Sequence, residues 1–258
     1  MSRAYGTRRT SRPRRRRGPI YLLVAVVFFG ALGGMGYAFN NYVNESPRFQ
    51  VKSVRVEGAN ALREAAVLEV AGITSADNLL LFNADRIRER IEILPYVREC
   101  SVQRAYPDTV IIRLTERVPV ATLMVNNHSY ELDEEGVILR ELAPLAPHVG
   151  PLVTNVPRLG VLEPGMQVKH PALCNALAVW MAFAMTSMGR ELTVSEIAAP
   201  AADYISMYLD EVPFEIRWGR SDYKQQAQLL DILWDEKQGR LECTEYVDLR
   251  FDNDIICK

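Results

Sequence analysis

The chain has 258 residues, with 30 lysines and arginines against 32 aspartates and glutamates. Eight arginines and no acid fall in its first seventeen residues, so the rest carries 22 basic against 32 acidic side chains, an excess of about ten negative charges. That sign argues against nucleic acid as a partner of the larger part.

Residues 20–39, IYLLVAVVFFGALGGMGYAF, contain no charged side chain. At a helical rise of about 1.5 Å per residue, twenty residues extend roughly 30 Å, the thickness of a bilayer's hydrocarbon core. This segment is expected to be a single transmembrane helix with the lipid bilayer as its surroundings. Arg3, Arg8, Arg9, Arg12, Arg14, Arg15, Arg16 and Arg17 place residues 1–19 in the cytoplasm by the positive-inside rule, which sends everything after Phe39 across the membrane and out of the cytoplasm. A cleaved signal peptide is the competing reading, since Gly36-Tyr37-Ala38 has the small-x-small form of a cleavage site. The apolar stretch exceeds the roughly 7 to 15 residues usual for such signals, so an anchor fits better. Gly30 and Gly34 form a GxxxG pair that would permit close helix approach, although a plain tether accounts for the segment.

About 210 residues follow the anchor, room for one large domain or two small ones. All four cysteines, Cys100, Cys174, Cys243 and Cys257, lie there, in a compartment that permits disulfides. Four cysteines allow three pairings, and spacing selects none of them. No CxxC pair is present, so zinc and thioredoxin-like readings are weak.

After a linker at residues 40–48, a first module is expected over residues 49–117. KSVRVE at residues 52–57 alternates Val54 and Val56 with Arg55 and Glu57, the period of a half-buried strand. A helix is expected from an Asn60 cap to about Glu69, closed by Gly72. A second starts at Asn83, with Asp85 in its first turn, Phe82 and Ile87 as a hydrophobic staple, and Ile87, Ile91 and Leu94 at helical spacing; Pro95 stops it. Two strands then flank a Tyr106-Pro107-Asp108 turn, with Cys100 and Val102 alternating on the first and Val110, Ile112 and Leu114 facing one way on the second. The order is strand, helix, helix, strand, strand.

A second domain is expected over residues 118–258. A hairpin forms about Asn126-Asn127-His128, and Asp133-Glu134-Glu135-Gly136 turns the chain into another strand. Residues 143–171 hold six prolines and read as a packed surface loop. Leu173, Leu177, Trp180, Met181, Ala184 and Met188 recur at helical spacing, for core packing. Strands are expected at residues 192–197, 204–209 and 214–218, then a helix from about Ser221 to Glu236 burying Ala227, Leu230 and Leu233 or Trp234. The last strand, residues 245–251, sets Val247, Leu249 and Phe251 against Tyr246, Asp248 and Arg250. The whole is an α+β chain whose second domain is mostly antiparallel sheet with two helices.

Reactive groups for an enzyme are not assembled by this sequence. His128, His148 and His170 have no carboxylate or second histidine at metal-ligand spacing. Asp133, Glu134 and Glu135 could hold a cation, but a solvated turn explains them. Ser221-Asp222-Tyr223-Lys224 matches the SxxK of penicillin-binding proteins without a KTG or SDN companion, and Ser221 suits an ordinary helix N-cap. No GxxxxGK[ST] or GxGxxG loop occurs. No catalytic residue, cofactor or metal is expected.

The stretches VRVEGA, LPYV, VQRAYPDTVIIRLTERVPVA, YELDEEGVILRE and YVDLRFDN, in that order behind a basic tail and one anchor, resemble the FtsQ/DivIB family of bacterial cell-division proteins. The first module resembles a POTRA domain. The resemblance implies a divisome scaffold at the septum that links early and late division proteins and binds an FtsB/FtsL-like pair. Carried over by the closing motif, the partner-binding positions are Arg250, Phe251, Asp252 and Asn253, with Tyr246, Val247, Asp248 and Leu249 as the preceding edge strand. Other divisome components would meet the POTRA module and the transmembrane helix. The alternatives are a POTRA-type chaperone or envelope assembly factor, and a cell-wall enzyme using Ser221 and Lys224.

Overall fold

A computed structural model describes residues 18–45, 47–220, 222–251 and 254–258. The arginine tail, Ser221, Asp252 and Asn253 lie outside the described residues. Helix α1, Gly18–Glu45, contains the apolar span Tyr21–Tyr42, the one helix among the described residues long and apolar enough to cross a membrane. It continues through much of the stretch expected as a linker.

The first module is a three-stranded sheet under two helices. Strand β1, Ser53–Glu57, is followed by α2, Glu64–Ala71, and α3, Ala84–Glu92, then by β2, Val97–Ala105, and β3, Thr109–Glu116. β3 lies in the middle, parallel to β1 and antiparallel to β2. Burial of Val67, Ala71, Ile87, Ile91, Val97, Cys100, Val110, Ile112 and Leu114 makes one apolar core. Asn83 caps α3 through its side-chain oxygen, which accepts from the Arg86 N–H. Gly72 closes α2 in the left-handed conformation that glycine tolerates best.

Asn60 departs from its expected role. The N-cap of α2 is Arg63, which makes no side-chain cap bond. The backbone N–H groups of Asn60, Ala61 and Leu62 instead donate to the Glu116 carboxylate at 3.0, 2.8 and 2.9 Å. Burial alone would raise the Glu116 pKa, but these three donors outweigh it and hold the group below the ordinary glutamate value.

The second module is one nine-stranded sheet. Its strands are β4, Ala121–Val125; β5, His128–Leu132; β6, Ile138–Leu142; β7, Leu152–Thr154; β8, Val194–Ala201; β9, Tyr204–Leu209; β10, Glu215–Trp218; β11, Tyr246–Phe251; and β12, Asp254–Cys257. They are ordered β12-β11-β10-β9-β8-β7-β4-β5-β6. Asn126 and Asn127 both adopt positive φ, so a two-residue turn joins β4 to β5 and His128 starts the strand rather than completing the turn.

Five neighbouring pairs are antiparallel; β4–β7, β7–β8 and β10–β11 are parallel. A parallel pair needs a long crossover. Two of the three crossovers are helical: α4, Pro171–Phe183, and the short α5, Ser187–Glu191, lie between β7 and β8, and α6, Tyr223–Glu236, lies between β10 and β11. Helices α4 and α6 pack side by side, and their buried residues join one core with Leu123, Ile197, Met207, Ile216, Trp218, Val247 and Leu249. Phe183 meets Trp218 edge to face, with ring centroids 6.2 Å apart. Ala227, Leu230 and Trp234 form the buried face of α6, whose N-cap is Asp222 and not Ser221.

Two further expectations need correction. The proline-rich segment 143–171 is not only a loop, because β7 lies within it and joins β4 to β8 in mid-sheet. Residues 245–251 do not form the sheet's edge. β11 has neighbours on both sides, and β12 is the edge.

Candidate functional site

The edge of the large sheet is built by its last hairpin. In β11, Val247 and Leu249 point into the core, while Tyr246, Asp248 and Arg250 alternate onto the face away from the helices. Cα register pairs Val247 with Cys257 and Asp248 with Ile256, then shifts before Phe251 meets Asp254. At the far end, Lys258 exchanges backbone bonds with Tyr246, and its carbonyl accepts from Thr244 and Glu245 at 2.8 and 2.7 Å. Residues of an antiparallel strand alternate between facing and turning away from their neighbour. Since Lys258 faces β11, the N–H and C=O of Cys257 turn outward, toward the side where no strand lies among the described residues.

Cys243 and Cys257 form a disulfide across the base of this hairpin, while Cys100 and Cys174 are free. Cys243 is buried in the core and Cys257 is exposed. Ile255 packs partly against the core, whereas Asp254, Ile256 and Lys258 are exposed.

The expected partner-binding residues divide. Phe251, on the core-facing parity, reaches past the core and is 50% exposed, available as an apolar anchor. Arg250 is engaged within the strand: its Nε and Nη2 donate to Asp248 at 2.9 and 2.6 Å, and its guanidinium lies over the Tyr204 ring at 5.7 Å. Burial works against ionisation of Asp248, but the Arg250 bonds outweigh it and hold its pKa below the usual aspartate range. Tyr246 lies beneath the Arg217 guanidinium at 3.9 Å. Arg217 in turn donates to Glu215, which accepts from the Tyr208 hydroxyl at 2.8 Å. Burial and this hydrogen bond push Tyr208 up to about 12. The outer face beside the edge is thus a fixed lattice of tyrosines and paired charges.

Residues 254–258 were missed from the sequence. An Asp252-Asn253 pair between two β-rich runs is a turn signal that would have revealed a further strand.

The acidic turn after β5 faces the first module. Arg117 donates to Asp133 and Glu135 at 2.6 and 2.7 Å, and Arg98 donates to Glu134 and Glu135 at 2.8 and 2.6 Å. Asp133 also accepts from the backbone N–H of Glu135 and Val137, so it shapes the turn and receives the arginine at once. Beside it, buried Glu131 takes the Tyr96 hydroxyl at 2.7 Å and two bonds from Arg140. These carboxylates are counter-charges for arginines, a more specific arrangement than a solvated turn. Among the described residues no group of three or more histidines, cysteines or acids has metal-site geometry. Lys224 stands on the first turn of α6, while Ser221 lies outside the described residues.

One helix long and apolar enough to cross a membrane, one βααββ module and a mixed sheet with an open terminal strand define a protein of the POTRA type with a single candidate membrane span among the described residues. The sequence model described as "POTRA domain, FtsQ-type" matches residues 49–117, and "Cell division protein FtsQ/DivIB, C-terminal" matches residues 121–250. The chain is 30% identical over 221 residues to a protein of Myxococcus fulvus named cell division protein FtsQ, covering 85% of this chain and 76% of that one. Proteins of the same name are 24% identical over 241 residues in Syntrophotalea carbinolica (93% and 85% coverage) and 23% identical over 254 residues in Geotalea daltonii (97% and 92%). The chain belongs to the FtsQ/DivIB family of cell division proteins.

Proposed function

We propose that this protein is a noncatalytic scaffold of the division machinery, anchored once in the inner membrane at the septum. Its arginine-rich end is cytoplasmic, and residues 49–117 and 118–258 are two periplasmic domains. It captures an FtsB/FtsL-like pair by letting a partner strand add to its terminal sheet edge, with other divisome proteins meeting the POTRA domain and the transmembrane helix. The observation that carries this reading is the unpaired outer side of β12. Unpaired N–H and C=O groups template a partner strand, and adjacent apolar side chains give specificity. Phe251 and Ile256, 50% and 41% exposed, supply those anchors. The proposed contact therefore keeps residues 246–253 but moves its hydrogen-bonding centre to residues 254–258.

A matched pair of substitutions tests it. Ile255→Pro removes an N–H from the edge strand together with the isoleucine packing, while Ile255→Ala loses the packing alone. Capture of the co-expressed FtsB/FtsL-like pair by the full-length protein should persist in the alanine variant and fall at least about tenfold in the proline variant, the effect of roughly 1.4 kcal/mol. Equal capture by both variants would reject main-chain docking at this edge.

A further inference from the structure

We infer that the Cys243–Cys257 disulfide is a redox clamp on the docking strand, holding β12 in the one register that presents its edge. This inference rests on the reading of β12 as the docking strand. The observations behind it concern how little else secures that strand. β12 has four residues, of which Ile255 alone packs against the core, and its ladder with β11 is irregular between Asp248 and Phe251. The regular part of the pairing is gathered at Lys258, whose carbonyl and N–H bind Thr244, Glu245 and Tyr246. Those are the residues that follow Cys243, and Lys258 follows Cys257. The disulfide and the backbone bonds therefore fasten the same end of the hairpin, and the covalent link sets the register for the rest.

Register matters here because the side-chain period of a strand is two. A slip by one residue would turn Ile255 outward and Ile256 inward, and would exchange the outward N–H groups for inward ones. The disulfide is also asymmetric in its surroundings. Cys243 is 4% exposed within the core, whereas Cys257 is an exposed residue at the edge, so exchange is assigned to begin at Cys257. The chemistry is thiol–disulfide exchange with a dithiol. The incoming thiolate attacks Cys257 and expels the Cys243 thiolate, and the second thiol of the reductant then attacks the mixed disulfide and releases Cys257. One S–S bond breaks in the protein and one forms in the reductant; two electrons and two protons pass to the cysteines. Oxidised protein presents a preorganised edge, and reduced protein must order β12 at the moment of binding.

Full-length protein in detergent, treated with dithiothreitol or left oxidised, supplies the test. Hydrogen exchange should accelerate on reduction in residues 254–258, including the Lys258 amide now bonded to Tyr246, while β8 and β9 keep their protection as controls for the fold. If reduction leaves β12 ordered in about one molecule in ten, apparent affinity for the detergent-solubilised FtsB/FtsL-like pair falls about tenfold. The Cys243→Ser/Cys257→Ser variant should show the weaker binding without reductant and no further change with it. Unchanged exchange in residues 254–258 on reduction overturns the clamp, and so does unchanged capture by a protein whose Ile255→Pro variant has lost capture. Undiminished capture by oxidised Ile255→Pro rejects the docking edge itself, a failure distinct from that of the clamp.

Discussion

Replacing Gly58 by alanine would set a methyl carbon 2.2 Å from the Leu114 carbonyl oxygen, at a backbone φ of +86°. Both the clash and the left-handed conformation oppose a side chain, so Gly58→Ala should lower stability by at least about 1 kcal/mol, read as a fall in Tm of the full-length protein. Glu116 is a second such position. Glu116→Ala would leave the Asn60, Ala61 and Leu62 N–H groups without their acceptor and should destabilise the first module by about 1–3 kcal/mol, seen in chemical denaturation. The two asparagines show what was legible at this scale. Asn83 was readable because an N-cap serves N–H groups only a few positions ahead. Asn60 was misread because the acceptor for its neighbourhood is 56 residues away, and no local pattern reports a contact of that range.

Elements were legible where burial leaves a period. β3 buries Val110, Ile112 and Leu114 at every second position, the face expected of it, and α6 buries Ala227, Leu230 and Trp234 three and four residues apart, over Tyr223–Glu236 against an expected start at about Ser221. β7 is three residues long with Val153 and Thr154 both buried, so alternation never becomes visible among the surrounding prolines. The edge strand was hidden differently, since a hairpin whose second arm is mostly exposed resembles a tail. At the contact between modules, the apolar cores remain separate and charged groups provide the named links. Arg117→Ala should therefore loosen the orientation of the two modules while leaving each folded, measurable as a wider interdomain distance distribution between spin labels. Acid should act similarly through Glu131. Its burial tends to raise its pKa, but bonds from Arg140 and Tyr96 outweigh that and place it below the ordinary 4.5. Because the folded carboxylate binds its proton less tightly than the unfolded one, its stabilising contribution is complete above 4.5 and is lost as pH falls through the lower folded value. Glu131→Gln should flatten that acid-side loss in a pH series of Tm.

At the scale of the molecule, the proposed topology has a native reporter. Cys174 is an exposed free thiol on α4, while Cys100 is buried. A membrane-impermeant maleimide should label Cys174 from outside intact spheroplasts if the second domain is periplasmic; labelling only after lysis would reverse that orientation. The order of strands in the sheet has another consequence, for timing. β12 comes last in the chain order of strands, and it can form only on β11, which is itself laid parallel to β10 after α6 has crossed over. The proposed docking edge would thus work as a completion signal, formed only after β11 is in place. Val153→Ala in β7, five places from β12 in the sheet, should reduce the captured fraction in step with the fraction of molecules unfolded, so that the partner takes up only finished copies.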